Sequence, residues 1–216
     1  MNTTHRKKKN TVYLLISITI LVLICISIYI YFNAIATSTL TRKVMSEQDD
    51  GRTFEVPSSP DGFGNEPEGW ANLEINPTYS FGVRFTNISL PRGSRVIDAY
   101  VKLFSIGLPN RNDHVSCTIY ADNVDTSDDF YTKGCLDRCG RIYTTNSVLW
   151  DAITPFTQWI KTPALTDIIQ EIIERPGWEQ GNSISLLFIT RHTNNSAAFN
   201  NFELGNSAEL VIKAQM

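Results

Sequence analysis

Apolar and polar positions follow three different patterns along this chain. Residues 12–32 carry no charge, proline or glycine, so this stretch is apolar all round rather than on one face. As a helix rising roughly 1.5 Å per residue it would reach about 30 Å, the thickness of a bilayer's hydrocarbon core. Its Ser and Thr hydroxyls can bond back to helix carbonyls, and Tyr29 and Tyr31 fall at its outer end, where amphipathic rings prefer the lipid–water boundary. Over residues 33–60 the periodicity fades, ending in Val56-Pro-Ser-Ser-Pro60, which reads as a linker or stalk. Beyond residue 61 a period of two takes over, interrupted by turn residues. Strands are predicted at 79–86, at 95–106 with Ile97, Ala99, Val101 and Leu103 on one face, and around Val115, Cys117 and Ile119. Others fall at 147–153, at 183–190 with Ile184, Leu186 and Phe188 inward, and at 208–214 with Leu210 and Ile212 buried.

One segment has the period of a helix instead: Leu165, Ile168, Ile169, Ile172 and Ile173. Thr162 stands where an N-cap belongs, Pro163 at the first helical position, and Arg175-Pro176-Gly177 as a stop, which predicts a short amphipathic helix over about 163–175. Short strands, Gly/Pro turns and no alternation of strands with helices predict an all-β, antiparallel β-sandwich over 61–216.

Charge sets the compartment. His5, Arg6, Lys7, Lys8 and Lys9 precede the apolar run, while Arg42 and Lys43 come only after a neutral spacer. That asymmetry keeps residues 1–11 in the cytoplasm, makes 12–32 a transmembrane signal anchor, and places the sandwich outside. The alternative is a cleaved signal peptide ending at the small-x-small sequence Ala34-Ile35-Ala36. The apolar run exceeds the roughly 7–15 residues of a signal-peptide core, which favours the anchor. Either way the domain is exported. Four of the 19 Lys and Arg precede residue 12, whereas all 22 Asp and Glu follow residue 32, which leaves the exported part about seven charges negative. No basic stripe exists to neutralise phosphates, so nucleic acid is excluded as a partner.

In an oxidising compartment Cys135 and Cys139, a C-x3-C pair in a polar loop, are expected to close a disulfide. Cys117 lies in a strand pattern and is expected to be a small buried hydrophobe. A zinc site would need His114 and His192 as well, at a spacing that matches no structural zinc pattern. Asp122, Asp125, Asp128 and Asp129 form the densest cluster of oxygen ligands, either a calcium loop or a solvated acidic turn; the Gly and closing Glu of an EF-hand are missing. His114 and His192 read as turn residues, since neither a nucleophile elbow nor a metalloprotease His pair accompanies them. Asn87-Ile-Ser89 and Asn194-Asn-Ser196 fit the glycosylation acceptor pattern.

Three stretches together, residues 83–103 with their Leu-Pro-Arg-Gly turn, Ser147-Val-Leu-Trp150, and residues 162–186 with the helix and Trp178, resemble a known family. They are similar to the jelly-roll carbohydrate-binding modules of the DNRLRE kind, over about residues 79–214. The resemblance implies a jelly-roll-like, non-catalytic sandwich, and the loop around 130–140 departs from the family's pattern; no cofactor is expected, calcium at the acidic cluster apart. Of the four tryptophans, Trp150 and Trp178 are expected in the core, while Trp70 and Trp159 lie beside turn-like sequence and are the candidates for stacking on sugar rings. The expected function is a membrane-anchored extracytoplasmic module that binds carbohydrate or another cell-surface polymer. The alternatives are a surface-assembly or filament subunit joined by strand addition, and an exported enzyme of undefined chemistry.

Overall fold

A computed structural model describes residues 3–35, 37–54, 72–107, 113–131, 141–191 and 194–216, with side chains at all of these except 3–12, 14, 31–35, 53 and 54. Contacts divide the chain into two units, Met1–Thr37 and Ser38–Met216.

The first unit is the helix α1, Thr3–Ile35. Its hydroxyls bond back as the sequence predicts: Ser17 Oγ to the Tyr13 carbonyl at 2.9 Å, Thr19 Oγ1 to Leu15 at 2.9 Å and Ser27 Oγ to Leu23 at 2.8 Å. Its described apolar side chains all stand exposed, Leu21 at 62% and Ile16 at 50% among them. Among the described residues no helix is long and apolar enough to cross a membrane. The unbroken run of described side chains in α1 is residues 15–30, and both ends of the expected 12–32 span lie outside it.

The second unit holds eleven strands and one helix. In chain order the strands are β1 (Thr37–Lys43), β2 (Asp50–Phe54), β3 (Asn72–Ile75), β4 (Tyr79–Phe85), β5 (Arg95–Ser105), β6 (Asp113–Ala121), β7 (Val148–Thr154), β8 (Gln158–Lys161), β9 (Ile184–Thr190), β10 (Ala197–Asn200) and β11 (Glu209–Gln215), with α2 (Thr166–Ile173) between β8 and β9. A six-stranded sheet has the order β1-β11-β5-β10-β3, with β8 also on β5, and a five-stranded sheet has the order β2-β4-β9-β6-β7. Every pair of neighbours with a described register is antiparallel. The chain passes back and forth between the sheets, and their inner faces meet in one core. Phe81 stacks on Phe188 at 4.4 Å within the five-stranded sheet, and Phe199 of the other sheet meets Phe81 at 5.7 Å and Trp150 at 5.8 Å. The antiparallel sandwich read from period-two alternation is the observed architecture.

Three expectations need correction. The stalk over 33–60 is not a stalk in its middle: β1 and β2 extend the two sheets, and a 3₁₀ turn, Glu47–Asp49, joins them. Leu40 packs on the core, Val44 is buried, and the Val44 N–H donates to the Ala208 carbonyl at 3.0 Å. The sandwich therefore begins well before residue 61.

Ile97, expected inward, is 44% exposed, and Val96 is buried in its place. The register between β5 and β11 shifts there, with Lys213 opposite Asp98 but Ala214 opposite Val96. This bulge flips the phase of the alternation, so Ala99, Val101 and Leu103 still face the core.

Thr162 does not cap the helix. Its Oγ1 accepts from the Val101 N–H at 3.1 Å and donates to the Pro163 carbonyl at 2.9 Å, while Leu165 holds the cap position with no side-chain bond. The helix is accordingly shorter than 163–175, although all four of its isoleucines are buried as expected.

Candidate functional site

The outward face of the six-stranded sheet carries a group of aromatic side chains outside the core. Along β5, residues 99, 101 and 103 point inward, which leaves Tyr100, Lys102 and Phe104 outward. β8 lies antiparallel to β5, with Lys161 opposite Lys102 and Trp159 opposite Phe104. Cross-strand partners share a face, so these five side chains form one surface. Trp159 is 39% exposed, and the Phe104 ring meets it edge-on at 5.5 Å. Lys161 Nζ lies 4.3 Å from the centre of the Tyr100 ring. The Thr162 bonds to β5 follow β8 directly and hold it in register, which fixes Trp159.

Charge on this face is uneven. Lys213 has Asp98 as its cross-strand partner, and Lys102 has Glu209. Glu209 receives both Lys43 at 2.9 Å and Lys102 at 3.1 Å. Partial burial raises the Glu209 carboxyl, but those lysine bonds outweigh it and hold the group below the usual glutamate range. Lys102 and Lys161 remain like charges directly opposite one another, an arrangement that destabilises an antiparallel pair.

On the other sheet, part of the outward face is covered by the chain itself. Phe130 packs with Leu187, Tyr143 and Ile189, and Arg141 lies 4.7 Å over the Phe130 ring. Gly51 lies beneath it, where even an added Cβ would meet the Phe130 Cβ only at an ordinary contact distance of 3.9 Å. Beside the plug, Arg141 Nη1 donates to Asp122 Oδ2 at 2.7 Å, with both side chains wholly buried, and Ser127 Oγ donates to the same oxygen at 2.8 Å.

Of the acidic cluster, weighed as a calcium loop or a solvated acidic turn, two carboxylates are engaged by arginines. Asp122 goes to Arg141, Asp125 to Arg175 Nε at 2.8 Å, and Asp128 and Asp129 offer backbone carbonyls to Arg141 Nη2 at 3.1 Å each. Among the described residues no three His, Cys, Asp or Glu side chains are grouped to hold a metal ion.

His114 lies in β6 rather than a turn. Its Nε2 is 2.6 Å from Asp151 Oδ1, and Ser116 Oγ donates to Asp151 Oδ2 at 3.0 Å. These bonds, that to His114 foremost, hold the Asp151 carboxyl below its ordinary range. The carboxylate stands between the imidazole and the hydroxyl, so the ring does not take the serine proton and no activated nucleophile results.

Trp150 and Trp178 are buried as expected, and Trp178 Nε1 donates to the Leu90 carbonyl at 2.9 Å. Cys117 is a free, buried thiol, and burial pushes its pKa far up. Trp70, Cys135, Cys139 and His192 lie outside the described residues. The sequence points to Trp159, beside turn-like residues, but not to Phe104, Tyr100 or Lys161. The available signal was two aromatics on the solvent side of an alternating strand.

No protein-family model matches this chain, and no curated protein matches it. Solved structures that it resembles include an exo-beta-1,3-galactanase from Phanerochaete chrysosporium, with 10% identity, a TM-score of 0.32, and 81% of this chain covering 29% of that one. Tailspike protein 4 of bacteriophage CBA120 matches over 84% of this chain and 19% of its own, with 7% identity and a TM-score of 0.28. A family 11 carbohydrate-binding module of a Clostridium thermocellum cellulase matches over 83% of this chain and 87% of its own, with 13% identity and a TM-score of 0.25. The chain thus spans less than a third of the first two. Likenesses this distant decide neither fold nor ligand, and the two-sheet architecture rests on the strand pairing alone.

Proposed function

We propose that this chain is a membrane-anchored extracytoplasmic binding module with a jelly-roll-like sandwich. On this reading it holds carbohydrate or another cell-surface polymer against the outward face of the six-stranded sheet. The observation that carries the reading is Trp159, part-exposed on a sheet face with Phe104 set edge-on beside it. An aromatic plane on a rigid strand offers the C–H face of a sugar ring apolar area at little entropic cost. Lys102 and Lys161, next to that plane, supply donors for hydroxyl or carboxylate groups. Anchoring is supported by residues 12–32 within α1, which carry no charge and follow the basic residues 5–9 of the same helix, and by the hydroxyls of Ser17, Thr19 and Ser27, which bond back to helix carbonyls.

The test uses the full chain in detergent, titrated with neutral and acidic oligosaccharides while tryptophan fluorescence is followed. Quenching or a blue shift on binding is expected, and Trp159→Ala should weaken binding at least about tenfold, the loss of one stacked ring. Binding that is unchanged in Trp159→Ala removes this face from the proposal. Retention in the membrane pellet after alkaline carbonate extraction is the companion result, and release into the supernatant overturns the anchor.

A further inference from the structure

Asp50 opens β2, yet its side chain is only 6% exposed. Its Oδ2 accepts the backbone N–H of Phe202 at 2.8 Å, a bond that ties an edge strand of the five-stranded sheet to the loop 201–208 of the six-stranded one. That loop in turn holds β1. The Ala208 carbonyl accepts from Val44 N–H at 3.0 Å, and Ser207 Oγ donates to the Val44 carbonyl at 3.1 Å. The charged groups facing Asp50 are nearly all acidic: Glu47 and Asp49 from the 3₁₀ turn and Glu203 from the loop. Tyr131 approaches from the segment that carries Phe130. Arg84 on β4 is committed to Asp49, the Ser127 carbonyl and Ser183 Oγ, and Arg52, two residues on in β2, pairs with Glu74 Oε2 at 2.9 Å. Among the described residues no cation pairs with Asp50.

A carboxylate in that position would lose its hydration shell, gain one N–H bond and face three like charges. A neutral carboxyl keeps the bond without the repulsion. We propose that Asp50 is a proton-controlled latch: its neutral carboxyl holds the loop 201–208 against β2, and release of the proton to solvent frees that loop. Burial foremost, with the neighbouring acids adding to it, raises the Asp50 carboxyl to about 8 against the opposing bond from Phe202. The opened loop returns the group to its ordinary range. Opening therefore becomes more favourable by up to about tenfold per pH unit between the two values and levels off above the higher one. Glu203 leaves with the loop, which removes one of the repelling charges.

Amide exchange on the full chain in detergent, corrected for the intrinsic pH dependence, reads this directly. The opening constant of the Phe202 and Leu204 amides should climb as pH rises from about 5 to about 8 and then flatten, while amides of the central strand β9 stay protected. Asp50→Asn, which keeps an oxygen for the Phe202 N–H and carries no proton to lose, should abolish the climb. Glu203→Gln should leave a smaller climb that flattens at lower pH. A wild-type loop with no climb overturns the latch, as does an Asp50→Asn loop that climbs like the wild type. A parallel rise in β9 also overturns it, since the whole domain would then be opening.

Discussion

Asp122 and Arg141 meet with no exposed side-chain surface on either partner. Two charges brought that far from water stay favourable only while each answers the other, so breaking the pair should cost far more than removing it whole. Arg141→Met leaves a buried carboxylate without its cation and is expected to lower the unfolding free energy by about 3–5 kcal/mol in denaturant titration. Adding Asp122→Asn to that variant should restore most of the loss, because the uncompensated charge is gone. A double variant as unstable as the single one would mean that Arg141 acts instead through its stacking on Phe130. The pair also shows how the acidic stretch is engaged: one oxygen each of Asp122 and Asp125 goes to Arg141 and Arg175, which lie well outside it.

Among the elements, β8 is only four residues long, and its hold on β5 decides where Trp159 stands. Thr162→Val removes the acceptor for the Val101 N–H, a buried donor with nothing to replace it. We expect a loss of about 1–3 kcal/mol in unfolding free energy with a shifted tryptophan emission. The far-UV helical signal should stay unchanged, since Leu165 and not Thr162 precedes α2. Loss of helical signal would instead favour the capping role that the sequence suggests for Thr162. This residue marks the limit of what the sequence makes legible. Strands of seven or more residues, such as β4, β6, β9 and β11, carry enough apolar positions to show in a local window, and the isoleucine period gives α2. β3, β8 and β10 are too short to show a period. β1 and β2 carry few large apolar groups, so their membership in the sheets depends on partners far away in the chain. The exposure of Ile97 depends on how β11 registers against β5, and the Phe104–Trp159 surface forms only once β8 finds β5. Pairings between distant segments leave no trace in a local window of sequence, which is why the platform was only half visible there.

For the molecule as a whole, the free rims of the sheets govern how copies treat one another. Among the described residues, β7 ends the five-stranded sheet and no strand pairs with its outer side. It reads Val-Leu-Trp-Asp-Ala-Ile-Thr, with Leu149 53% and Ile153 65% exposed on either side of Asp151. Apart from that one carboxylate, the strand is a flat, greasy, proline-free template of the kind that seeds fibrils. The bonds from His114 and Ser116 keep the carboxylate ionised, and an ionised group in mid-strand repels an identical strand laid alongside. Asp151→Ala is therefore expected to leave the fold intact while concentrated samples turn turbid and bind thioflavin T, and a clear solution would show that the rim is guarded by something else. A side chain that resembles part of a catalytic set thus works as a gatekeeper, keeping copies of this chain from knitting themselves into amyloid.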